Sequence, residues 1–164
     1  MKKIFYLLTL VSFTLASCSD EGPPGPPGEP GVNIVGQTFE FENVDFNYDG
    51  DFNLYSYFIT IPAEIEVLPS DAILVYRREI LDGAETWSLI PQNFFLDEGI
   101  IQYVYNHTDA DIELIIDGNF DLSTLSTAWT DDQFFRFIVI PSDFALDTGV
   151  DVSDMNAVLS ELEN

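Results

Sequence analysis

The chain has one cysteine, one histidine and, after Lys3, no lysine. A single cysteine, Cys18, excludes an internal disulfide framework and a cysteine-built zinc site. The single histidine, His107, has no second imidazole with which to share a metal and no serine singled out as a triad partner; it reads as a solvent-facing residue at a strand end. Five Lys+Arg stand against 29 Asp+Glu, a formal net charge of −24. Beyond Lys3 the cations are Arg77, Arg78 and Arg136, which make no basic patch. Nucleic acid and anionic lipid are therefore excluded as partners of such a patch. No G-x-G-x-x-G loop and no cysteine pair occur, which excludes a dinucleotide or flavin redox enzyme, and no organic cofactor is expected. Long apolar runs are missing too. The longest, Ile4 to Leu15, falls short of the roughly 20 residues of a bilayer span. Aromatic residues, in contrast, make up 14% of the chain, so the charge excess does not signal disorder.

The apolar run follows Lys2 and Lys3 and leads into small residues, so residues 1–17 read as an export signal. Leu15-Ala16-Ser17-Cys18 resembles the lipobox of bacterial lipoproteins. That resemblance implies cleavage after Ser17 and a diacylglyceryl group on the Cys18 thiol. Each buried acyl CH₂ contributes about 0.8 kcal/mol, so two or three chains hold where one does not. Ser19-Asp20-Glu21 resembles the acidic surface-export signal of Bacteroidetes lipoproteins, which implies display on the outer face of the outer membrane.

Residues 18–34 form a spacer. Gly22-Pro23-Pro24, Gly25-Pro26-Pro27, Gly28-Glu29-Pro30 and Gly31-Val32-Asn33 keep glycine first in every triplet. Collagen needs glycine there because only glycine fits the axis of three chains. Four triplets are few for a triple helix, so a monomer on a polyproline II spacer about 37 Å long is expected, with trimerisation through the stub as the alternative.

Residues 35–164 suit one domain. Alternating and β-branched segments recur at Val35–Phe46, Asn53–Ile61, Ala72–Arg78, Thr86–Ile90, Asn93–Leu96, Ile100–Tyr105, Ile112–Ile116 and Gln133–Ile140. Turn residues separate them, among them Asp82-Gly83, Asp97-Glu98-Gly99 and Asp117-Gly118-Asn119. Seven or eight short strands with no helix between them predict an all-β fold, a single antiparallel β-sandwich. In Gln133–Ile140, Phe135, Phe137 and Val139 are expected in the core. Val152, Met155, Val158, Leu159 and Leu162 recur at helical spacing and predict one closing helix over 151–163, with Asp151 as its N-cap and Asp154 in the first turn.

Together the lipobox, the Gly-Pro-Pro stub and the acidic β-domain resemble flavobacterial lipoproteins of unknown function. The marks of the resemblance are Ser70-Asp71-Ala72-Ile73-Leu74-Val75-Tyr76, Trp87-Ser88-Leu89-Ile90-Pro91-Gln92, Asp117-Gly118-Asn119-Phe120 and Phe135-Arg136-Phe137-Ile138-Val139-Ile140-Pro141. The resemblance implies an address and a domain outline but no activity.

Asp45-Phe46-Asn47-Tyr48-Asp49-Gly50 matches the opening of a calcium loop, and Asp51 and Asn53 continue it. Position 12 is Ser56 instead of a bidentate glutamate, so this is no EF-hand. Calcium on Asp45, Asn47, Asp49, Asp51 and Asn53 is one reading. The other is a hairpin tip whose three-residue loop pairs Tyr48 with Phe52 and Phe46 with Leu54, placing Phe52, Leu54 and Phe58 on one face. Asp109, Asp111, Glu113 and Asp117, and Asp131-Asp132, read as solvated loops. Acids are too abundant for any pair to single out glycoside hydrolysis, and no enzyme is expected. Tyr55 and Tyr57 share a strand face, as do Tyr103 and Tyr105, and Trp87 and Trp129 could join them. Such aromatics either stack sugar rings or stabilise the sheets. The leading expectation is a non-enzymatic accessory or adhesion-type module; the alternative is a glycan-binding lipoprotein of a polysaccharide uptake system.

Overall fold

The computed structural model describes residues 36–162. Cys18, the expected export signal and the expected Gly/Pro spacer lie outside the described residues. The domain is all-β, two antiparallel sheets packed face to face. Nine strands form: β1 (Gln37–Val44), β2 (Asn47–Asp49), β3 (Leu54–Thr60), β4 (Asp71–Leu81), β5 (Ala84–Leu89), β6 (Gln92–Phe95), β7 (Ile100–His107), β8 (Asp111–Gly118) and β9 (Gln133–Pro141). One sheet runs β1-β9-β4-β5 and the other β2-β3-β8-β7-β6. A 3₁₀ turn, Leu122–Thr124, precedes the short helices α1 (Thr127–Thr130), α2 (Phe144–Thr148) and α3 (Met155–Leu162).

Strand β9 explains the layering. Its sequence is almost continuously apolar, as a strand covered on both faces requires. Phe135, Phe137 and Val139 point between the sheets, where they meet Phe39, Val75, Ile101, Leu114 and Ile116. Burial of each such side chain contributes about 1.5–3 kcal/mol. Phe39 stacks on Phe137 at a centroid distance of 4.9 Å. The alternate residues Ile138 and Ile140 point the other way, into a second cluster with Tyr76, Phe144, Met155 and Val158. Helices α2 and α3 thus cover the Tyr76–Ile138 part of the outer face of the four-stranded sheet. Tyr76 donates its hydroxyl hydrogen to the Val152 carbonyl at 2.5 Å, which ties the segment before α3 to the sheet.

A 3₁₀ turn and α1 stand between β8 and β9, where no helix was expected, and two further local expectations change. The first is the helix start. Asp151 accepts from Ser153 N and Oγ and closes a turn of its own. Asp154 Oδ1 accepts from Asn156 N and Ala157 N, so Asp154 caps α3. The helix therefore begins at Met155, and Val152 lies before it. The second is the hairpin register. The predicted strand over Val35–Phe46 ends at Val44. Asn43 takes φ 55°, the β1–β9 pairing shifts between Phe41 and Val44, and the chain crosses into the other sheet. There Tyr48 pairs with Tyr55 and Asp49 with Leu54. The loop is four residues long, with Asp49 Oδ1 accepting from Asp51 N and Phe52 N. The three-residue shift reverses the faces of β3. Tyr55, Tyr57 and Ile59 turn inward, whereas Phe52 and Phe58 are 75% and 67% exposed.

Candidate functional site

The side chains of the hairpin tip mainly hold loops. Asp45 Oδ1 accepts from Asp132 N at 2.9 Å. Asn53 donates to the Phe120 carbonyl at 2.8 Å and accepts from Leu122 N at 2.9 Å and from the Tyr48 hydroxyl at 3.1 Å. Asn53 itself sits at φ 54°, a conformation that asparagine tolerates better than most residues. Asn47 and Asp51 are exposed. Among the described residues, no three His, Cys, Asp or Glu side chains come together as a metal site. His107 is exposed at the end of β7, beside the Thr108 carbonyl and 6.3 Å from the Tyr105 ring.

The six aromatic candidates separate into two places. Trp87 lies on the outer face of the four-stranded sheet, 5.5 Å from Phe134 and under Arg136 at 4.2 Å. The other five pack against the core between the sheets. Tyr103 is 1% exposed and donates to the Trp129 carbonyl at 2.5 Å. Tyr105 donates to the Ile73 carbonyl at 2.6 Å. Burial pushes the Tyr103 hydroxyl up to about 12, with the Arg77 cation acting in the opposite direction. Burial likewise raises Tyr55 and Tyr105. These six side chains do not form one solvent-facing strip.

All three arginines of the domain are engaged on the four-stranded sheet. Arg77, on β4, lies buried 4.4 Å from the centre of Tyr103. Its Nε and Nη2 donate to Gln133 Oε1 at 3.0 and 2.8 Å. Nη1 stands 3.0 Å from Glu79 Oε1. That is close enough for an ion pair, but the alignment gives no hydrogen bond. Arg78 covers Phe134 and pairs with Glu85 at 3.2 Å. Arg136 pairs with Glu40 at 2.5 Å.

The five-stranded sheet holds no lysine or arginine, and the buried clusters joined by the described helices lie between the sheets and on the four-stranded sheet. On the outer face of the five-stranded sheet Phe95 is 80% exposed, and Phe58 and Ile100 are exposed as well. Register explains the grouping. Asn93 faces Gln102, which faces Asp117, on three neighbouring strands. One row on, Phe95 faces Ile100. Asn119 closes the end of the groove. Its Oδ1 accepts from Ile100 N at 2.8 Å, an approach open only because Gly99 has no Cβ. These residues line an open groove of about 400 Å³. The sequence carried one signal for it. Phe94-Phe95 in a strand must send one ring to each face, and Phe94 is the one that packs on Trp129 at 4.8 Å. In comparisons with protein-family models, curated proteins and solved structures, nothing matches this chain.

Proposed function

We propose that the protein is a non-enzymatic accessory or adhesion-type binding module, anchored to the outer membrane through lipid on Cys18 and displayed at the cell surface. The outer face of the five-stranded sheet is its working surface. One observation carries this reading: the two sheets are treated differently. Helices α2 and α3 pack on the Tyr76–Ile138 part of the outer face of one, leaving Ile80 at its end exposed, while the other leaves Phe58, Phe95 and Ile100 in solvent. Large exposed apolar side chains grouped on one face mark a binding surface more often than chance scatter does. The lipobox-like Leu15-Ala16-Ser17-Cys18 and the acidic residues after it support the address.

Cell fractionation tests the anchor. The native protein is expected in the membrane fraction as a processed form, and protease added to whole cells should degrade it. Cys18→Ala should yield uncleaved or freely soluble protein. A Cys18→Ala protein that remains membrane-bound and processed would overturn the anchor.

A further inference from the structure

We infer that the groove formed by Asn93, Phe95, Ile100, Gln102, Asp117 and Asn119 binds a neutral sugar ring of a glycan. This rests on the binding-module reading and names its ligand class. A pyranose offers an apolar C–H face and a rim of hydroxyls that both donate and accept. The groove has the counterpart of each. Phe95 supplies an aromatic face that is 80% exposed, with Ile100 beside it in register. The row Asn93-Gln102-Asp117 supplies two amides and a carboxylate, spaced by the roughly 4.8 Å between neighbouring strands. No described residue hydrogen-bonds to the side chains of Asn93 or Gln102, although Gln102 is half-buried. Asp117 Oδ1 accepts from Gly118 N at 2.7 Å, leaving Oδ2 to accept from a hydroxyl. Amides that donate and accept beside a pure acceptor fit vicinal hydroxyls.

Charge narrows the class. The sheet has no cation, and Asp97, Glu98 and Asp117 surround the groove or the turn beside it. A uronic acid or sulfated sugar would meet only like charge, which leaves neutral sugars. The volume of about 400 Å³ lies within the range of small-ligand pockets.

The test uses the full chain extracted in detergent. It is applied to a panel of neutral glycans (glucans, mannans, xylans and galactans), to pectin and alginate, and to polylysine as a basic-protein probe. Retention by at least one neutral glycan and not by pectin or alginate is expected. Titration with the matching oligosaccharide should then show Phe95→Ala and Gln102→Ala each weakening binding by at least about tenfold. Phe52→Ala, at an exposed ring in the first hairpin loop and away from the groove, should bind as the native chain does. Thermal midpoints of all three variants should match the native one, which separates lost binding from lost fold. No retained neutral glycan, or affinity unchanged in both groove variants, overturns the inference. So does binding to polylysine alone that Asp117→Asn removes, since that assigns the groove to a basic protein. An anchored, displayed protein that holds no glycan overturns the groove assignment and leaves the module reading standing. A soluble, unanchored protein that holds glycan overturns the anchor and leaves the groove assignment standing.

Discussion

At the scale of the residue, the domain lays its three arginines on aromatic rings and three of its tyrosine hydroxyls on backbone carbonyls. Arg77 lies against Tyr103, and Tyr103 bonds to the Trp129 carbonyl, so one site joins both sheets and α1. The hydroxyl has consequences at high pH. The Tyr103 value is raised from 10 to about 12, by burial first. A raised value means the folded state holds the proton more tightly. Stability is then whole below pH 10 and falls as the pH rises through 12. Two units correspond to on the order of 2–3 kcal/mol, with Tyr55 and Tyr105 shifting in the same direction. Urea unfolding across pH 9–12 should show that decline, and Tyr103→Phe should flatten it. An equal slope in the variant would assign the alkaline transition elsewhere. Tyr103 also shows what sequence leaves open. Its strand and its shared face with Tyr105 follow from alternation, but alternation does not say which face is covered. The inward turn was set by β9, whose covering on both sides places the core.

At the scale of the element, most strands stand where alternation and turn residues put them, because each break carries residues with little use inside a sheet. Asp82-Gly83, at φ 53° and 81°, makes the two-residue β4–β5 turn expected of that pair. The first hairpin was less legible. Its apolar residues alternate on both arms, so two registers each align apolar partners. Asp49 chose between them by taking two backbone N–H groups, Asp51 N and Phe52 N. The groove on the five-stranded sheet was obscured for a related reason. The sequence advertised tyrosine and tryptophan, whereas the exposed ring belongs to Phe95, one of two adjacent phenylalanines. The start of α3 gives a clean element-level test. Asp154→Ala should cost about 1 kcal/mol, the usual cost of losing an N-cap. Asp151→Ala should leave the helix intact, since Asp151 serves a separate turn. Denaturant unfolding of the two variants distinguishes them, and a larger loss in Asp151→Ala would return the cap to the earlier position.

At the scale of the whole molecule, charge is distributed unevenly. The three arginines pair with Glu79, Glu85 and Glu40 on one sheet, and the remaining acids have no cation to balance them. Self-repulsion of the folded state should therefore outweigh the ion pairs that salt weakens. Raising sodium chloride from low to physiological strength and beyond should raise the thermal midpoint. A gain of about 1 kcal/mol corresponds to roughly 4 °C in a domain of this size. A falling midpoint would show the ion pairs dominate.

Strand β9 follows every other strand in the chain yet lies in the middle of its sheet, between β1 and β4. Until residues 133–141 are available, β1 has no neighbour on its paired edge and β4 has only β5. The four-stranded sheet thus cannot close early, and contacts such as Phe39 with Phe137 span nearly the whole domain. Long loops must be closed before these contacts repay the entropy, so the fold forms late and slowly. In the order of synthesis this works as a delay: the four-stranded sheet closes last, because its keystone strand emerges after the two strands it must join.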